Sequence, residues 1–218
     1  MVFDKHDDLK GRHAFIGASQ HSWVNWDEEK TINSLRNSYA QRVGTLIHEK
    51  AEKMILKGRS IRKQDIPGLT YLIDLYLFEN GIPMYAYNAN TIVQNLVPYI
   101  NDGIGFRMIP EVVLWYSDNC FGTADTVAFN EKKKELRIHD LKTGVSPASM
   151  DQLLIYSALF FLAYSKKLAI NVEDVTTELR IYQSEEVAIY IPSPEEIQQW
   201  MEAIILRDDW IKHYQGVK

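Results

Sequence analysis

Glu135-Leu-Arg-Ile-His-Asp-Leu-Lys-Thr-Gly144 is the stretch on which the fold turns. Strand alternation sets Leu136, Ile138, Asp140 and Lys142 on one side of it. Two earlier stretches repeat the theme of an acid within an apolar face. In Phe121–Asn130, Asp125 shares its side with Phe121, Val127 and Phe129. In Ile109–Trp115, Glu111 shares its side with Ile109, Val113 and Trp115. These three strands are expected to carry their carboxylates inward, where charge is costly unless paired or bound to a metal. Two carboxylates about 4 Å apart repel by roughly 4 kcal/mol at an effective dielectric near 20. One of them would take up a proton, or a divalent cation would resolve the conflict. Hard Mg²⁺ or Mn²⁺ suits such a site, because it binds through a few carboxylates plus water and phosphate oxygens. Lys142 then aims a positive charge at something beside the metal, such as a phosphate or an attacking water. Taken alone, Asp140 and Lys142 fit a buried salt bridge equally well.

Working outward, Val43, Ile47, Ala51, Met54 and Ile55 form a helical apolar stripe, and His48 and Glu52, four residues apart, stack at its edge. Asp151-Gln152-Leu-Leu-Ile-Tyr156 opens the helix after the Asp-Leu-Lys strand, with Gln152 and Tyr156 on one face. A lone helical histidine is more often structural than ligating. It is the ordered set that carries the argument.

That set is Gly44-x-x-x-His48-x-x-x-Glu52, then Glu111, Gly122-x-x-Asp125, Asp140-x-Lys142-Thr-Gly144 and Gln152-x-x-x-Tyr156. In this order it resembles the RecB-like branch of the PD-(D/E)XK nucleases, which includes the RecB nuclease domain, CRISPR-associated exonucleases and many phage and prophage recombination nucleases. The resemblance runs from about Gly44 to Tyr156, over half the chain. Gly17-Ala-Ser-Gln-His-Ser-Trp23 is similar, more weakly, to the opening of phage members. The four-cysteine iron–sulfur cluster of several relatives is excluded, since Cys120 is the single cysteine, and no Gly-x-x-x-x-Gly-Lys-Ser/Thr stretch signals a fused motor.

The resemblance implies a restriction-endonuclease-like α/β core, a central mixed β-sheet flanked by helices, with an added helical region. It implies a Mg²⁺- or Mn²⁺-dependent deoxyribonuclease, an exonuclease of phage or prophage type acting in recombination or repair. His48, Asp125, Asp140 and the backbone carbonyl of Leu141 would hold the metal, with Glu111 as a second-metal or outer carboxylate and Glu52 supporting His48. Lys142 would orient or deprotonate water or stabilise developing charge, and Gln152 and Tyr156 would orient Lys142 or a DNA phosphate. For Tyr156, simple packing explains the residue as well. The partner implied is DNA, at ends or single-stranded, alongside a homo-oligomer or a recombination partner protein. A non-cutting DNA-binding or assembly subunit that keeps the fold is the alternative, and a metalloprotein with a structural ion is a third reading.

At 218 residues, with 46% hydrophobic and 24% charged residues, the chain reads as one domain able to bury a real core. No apolar run is long enough to span a bilayer, and Met-Val-Phe-Asp-Lys-His-Asp-Asp lacks a signal peptide's apolar segment. The lack of a cysteine pair fits a reducing compartment, so a cytoplasmic location in a bacterium or phage-infected cell is expected. Net charge is −5, yet binding follows the local field rather than the sum. The basic patches are Lys57 and Arg59 with Arg62 and Lys63, then Lys132-Lys-Lys134, then Lys166 and Lys167. The lysine triplet reads best as a solvated hairpin turn. These patches support a narrow channel engaging a few phosphates rather than a broad footprint. Trp23, Trp26 and Tyr39 would stack on bases of a frayed strand or form ordinary aromatic core.

The element order expected is an aromatic-bearing segment over 14–26, a helix over 33–57, helices over 69–79 and 91–102 within an elaboration of about 60–105, strands over 105–117, 121–130 and 135–141, and a buried helix over 149–164. Strands over 177–183 and 187–191 and a final helix capped by Ser193-Pro-Glu-Glu, running to about Tyr214, complete it.

Overall fold

A computed structural model describes residues 6–9, 11, 13–144, 147–184 and 186–216. Met1–Lys5, part of the stretch read for a targeting signal, lie outside them.

Five strands form one sheet in sequence order: β1 (Ile109–Ser117), β2 (Cys120–Asn130), β3 (Glu135–Leu141), β4 (Thr176–Gln183) and β5 (Glu186–Tyr190). Only β3 and β4 run parallel, since α4 (Asp151–Leu168) supplies the long crossover that a parallel pair requires. The other pairs are hairpins, and Lys132 and Lys133 sit in the exposed turn between β2 and β3. α1 (Glu28–Lys57), α2 (Ile66–Glu79) and α3 (Ala89–Gly105) precede the sheet, and α5 (Pro194–Gln215) follows it. The chain is thus α/β, with a mixed sheet flanked by helices.

Two cores lie on the two sides of the sheet. On one, Leu136, Ile138, Leu179 and Ile181 pack under Leu153, Leu154, Ala158 and Phe161 of α4, with Ile197 and Ile204 of α5. Each Leu, Ile or Phe among them, fully buried, contributes about 1.5–3 kcal/mol. On the other, the stripe Val43, Ile47, Ala51 and Ile55 of α1 meets Leu69, Ile73 and Leu77 of α2, Leu96 and Ile100 of α3, and Leu141 and Tyr182 of the sheet. The helical region of residues 60–105 therefore shares its core with α1 and the sheet.

Helix boundaries follow their caps. α1 begins at Glu28 rather than near 33, because the Asp27 carboxylate accepts the Lys30 N–H at 2.7 Å. Ser193 caps α5 by accepting the Glu196 N–H at 3.2 Å, with Pro194 in the first turn. α2 begins at Ile66 rather than at 69, with Pro67 accommodated in its first turn.

The expected inward face of β1 fails. The side of β1 that holds Ile109, Glu111, Val113 and Trp115 is not inward: all four are exposed, as is Phe121 opposite Trp115 on β2. The opposite side, with Val112, Leu114 and Tyr116, is the one that faces the α4 core. The alternation also changes sense along β2, where Ala124 and Val127, three residues apart, both join that core. Between them, Asp125 stands opposite Glu111, whose φ of 53° marks a distorted strand.

Candidate metal and lysine site

The site forms where α1 crosses the distorted part of the β1–β2 hairpin beside the end of β3. Gly44 of α1 lies beside the segment after Lys142, where a Cβ would meet Thr143 Oγ1 at 3.4 Å. One turn further, His48 projects to the hairpin, and its Nδ1 lies 3.3 Å from Asp125 Oδ2. His48, Glu111 and Asp125 each offer a ligand atom, and these atoms lie within 4.8 Å of one another. They line an open cleft of about 450 Å³ with Gly44, Thr45, Glu49 and Glu52.

Asp125 is held in place from behind, since the Leu141 N–H donates to its Oδ2 at 2.9 Å. Leu141, expected to offer its carbonyl, contributes its amide here. Asp140 is buried beside it, with both oxygens 3.0 Å from Lys142 Nζ. Oδ1 takes the hydrogen bond, while Oδ2 has the ionic contact without hydrogen-bond alignment. Lys142 also donates to Gln152 Oε1 at 3.0 Å; Gln152 Nε2 donates to Tyr156 Oη at 3.1 Å, and Tyr156 donates to the Thr123 carbonyl at 2.6 Å. An unbroken line of polar contacts therefore runs from Asp140 on β3 through Lys142 and the α4 pair Gln152 and Tyr156 to β2.

The electrostatics follow from this crowding. Burial, then the charge of Asp125, pushes the Asp140 carboxyl up to about 6 against the opposing pull of Lys142 and His48. Burial and Asp125 also raise Glu111, with Glu52 adding to the effect. Burial pushes the His48 imidazole down, but the hydrogen bond and charge of Asp125, with Asp140 and Glu111, outweigh it and leave His48 raised. Without a cation, these acids favour a proton on His48. A metal ion would take that proton's place, as an imidazole and two carboxylates are a fitting donor set for Mn²⁺ and, through the oxygens, for Mg²⁺.

The residues expected from sequence divide as follows. His48, Glu111 and Asp125 converge as possible ligands, and Glu52 lines their cleft. Asp140 borders them but is engaged by Lys142; Gln152 reaches Lys142, and Tyr156 reaches Gln152, rather than the carboxylates. The aromatic residues of the N-terminal segment are not at this cleft: Trp23 Nε1 donates to Gly17 O at 2.9 Å, Trp26 packs edge-on to Phe15, and Tyr39 packs edge-on to Tyr85.

Sequence reasoning missed the supports behind the site. The Lys142 N–H donates to the Tyr182 carbonyl at 3.0 Å, and Asn95 of α3 reaches the Lys142 carbonyl at 3.5 Å. Tyr182 donates from its hydroxyl to Asp102 at 2.6 Å and contacts His139 Nδ1 at 3.1 Å. Nothing in the spacing of Asn95 or Tyr182 announces these contacts.

No family model matches the chain, and no curated protein matches it.

Proposed function

We propose that the chain is a metal-dependent DNA nuclease of the RecB-like PD-(D/E)XK type, with a restriction-endonuclease-like core, acting as an exonuclease on DNA ends. One observation carries this reading: an imidazole and two carboxylates within 4.8 Å, beside a buried Asp140 and the lysine that it pairs. A structural salt bridge accounts for Asp140 and Lys142 alone. It gives no reason for Glu111 and Asp125 to face each other with His48 against them.

In this reading His48, Glu111 and Asp125 would hold Mg²⁺ or Mn²⁺, with Asp140 and the Leu141 carbonyl as the further ligands the resemblance implies. The ion, when bound, lowers the pKa of water and offsets charge on the scissile phosphate. The protein's own groups do the positioning. Lys142, held by Asp140 and Gln152, orients the attacking water or stabilises the charge that develops on phosphorus oxygens. Water oxygen bonds to phosphorus, the P–O bond to the leaving sugar oxygen breaks, and that oxygen gains a proton. The products are a phosphate monoester and a free hydroxyl. Tyr156 keeps Gln152 aimed at Lys142.

End-labelled linear and closed circular DNA, incubated with Mg²⁺ or Mn²⁺, test the reading. Release of label from linear DNA, with circles spared and chelator or Lys142→Ala abolishing it, is the expected result. DNA binding without any cutting would instead favour the non-cutting assembly subunit, and equal cutting by Lys142→Ala would remove the mechanism.

A further inference from the structure

A second groove lies on the other side of α1. Taking about 100° per residue, Lys50, Met54 and Lys57 centre roughly half a turn away from His48 and Glu52. There they form one wall of a groove of about 590 Å³, whose other wall is α2 with Gly68, Leu69 and Leu72. Met54 and Leu69 join the helical core at its floor. Its rim carries Lys50, Lys57 and Arg59 against one carboxylate, Asp65, in a chain whose net charge is −5. Lys50 is partly engaged, lying 4.8 Å from the centre of the Tyr76 ring. Lys57 and Arg59 make no ion pair among the described residues.

The groove continues onto a bare helix face. Leu69, Ile73 and Leu77 are the buried stripe of α2. Tyr71, Leu72, Leu75 and Phe78 repeat at helical spacing on the outer side, with exposures of 67%, 54%, 38% and 62%. A helix that is apolar all round belongs in an interior, so this face is built to be covered.

We infer that the α1–α2 groove and the outer face of α2 dock an acidic amphipathic helix of a partner protein. Its apolar side chains would fill the space over Met54, Leu69 and Leu72, and its carboxylates would meet Lys57 and Arg59. Charge decides among occupants. A second copy of this chain, docked through the same groove, would set one basic rim against another. Nucleic acid would satisfy the rim but leave the aliphatic floor and the Leu72–Phe78 stripe without a partner. Because the groove faces away from His48, a partner held there leaves the carboxylate cleft open. The chain would be tethered without being blocked.

The test is fluorescence anisotropy with a labelled helix-forming peptide of roughly 15 residues, long enough to be helical when bound. Leu and Phe occupy positions i, i+3, i+4 and i+7, and Glu fills the rest. One control replaces Glu with Lys, and another replaces Leu and Phe with Ala. The acidic amphipathic peptide is expected to bind, and both controls to bind at least about tenfold more weakly. Leu72→Asp, and Lys57→Glu combined with Arg59→Glu, should each weaken it by a similar factor. All three residues are exposed, so unchanged circular dichroism and melting should accompany the loss. No binding, equal binding of the Lys control, or insensitivity to both variants would overturn the inference. So would displacement of the peptide by duplex DNA, or a dimer in sedimentation that Leu72→Asp dissociates. The assay contains no metal and no cutting step, so its outcome is independent of the nuclease reading.

Discussion

A Cβ on Gly122 would stand 2.9 Å from Tyr156 Cε1, so the α4 tyrosine rests directly on the bare backbone of β2. From that seat its hydroxyl reaches Thr123 O and Gln152, and through Gln152 it reaches Lys142. This contact accounts for a residue without a side chain at position 122.

Gly122→Ala must push Tyr156 off the strand, an overpacking change that costs about 1–3 kcal/mol. Tyr156→Phe keeps the ring and loses only the hydroxyl contacts, for about 1 kcal/mol. Denaturant unfolding of both variants checks the order; Gly122→Ala as stable as wild type would contradict the seat.

Gln152→Ala leaves Lys142 with Asp140 alone. If Lys142 is the group that acts on the phosphate or water, cutting of linear DNA should fall about 10–100-fold, in the range found for outer supporting groups of metal sites. Lys142→Ala should abolish it. Initial rates of label release measure both, and a Gln152→Ala enzyme at full rate would count against the polar line from α4.

His139 sits fully buried between β2 and β4, and burial, with Arg180 and Arg137 nearby, pushes it down to about 3. The native state therefore stays neutral there while the unfolded chain takes a proton below its ordinary 6.5. This group's stabilisation is present above 6.5 and is lost as pH falls toward 3, at about 1.4 kcal/mol per pH unit. His139→Asn should flatten the acid limb of a stability-versus-pH profile measured by urea unfolding. An identical slope in the variant would contradict the assignment.

Asp140 has the opposite sign. Its carboxyl is raised from 3.8 to about 6, so ionising it costs the metal-free fold above that range and costs nothing below 3.8. Asp140→Asn should therefore stabilise the metal-free protein at about pH 8, by on the order of 1–2 kcal/mol once the weakened Lys142 contact is offset. Near pH 4 the gain should vanish. An unchanged or lower melting temperature at the higher pH would speak against a crowded acidic site.

The strands and the site were legible to different depths. The bounds of β3 are legible because Leu136, Ile138 and the turn lysines before it punctuate it sharply, and His48 adjoins Asp125 as Asp140 adjoins Lys142. The β1–β2 hairpin misled, since Ile109, Val113, Trp115 and Phe121 have the alternation of a covered face and yet are exposed. Alternation reports that two sides differ; it does not say which one a helix will cover. Nor could it register the change of sense between Ala124 and Val127, which is a tertiary effect of α4 on one side and α1 on the other. The reverse of β3 and β4 was equally opaque. Arg137, His139, Glu178 and Arg180 look like a solvated face, but α3 covers them, and Asp102 pairs with Arg180 at 2.7 Å.

The most direct test of the central claim is a calorimetric titration of the metal-free protein with Mn²⁺, repeated on Asp125→Asn and His48→Ala. A single binding event in the wild type, weakened at least about tenfold in each variant, is the expected result. Mn²⁺ binding that neither substitution changes would contradict a cation held between His48, Glu111 and Asp125.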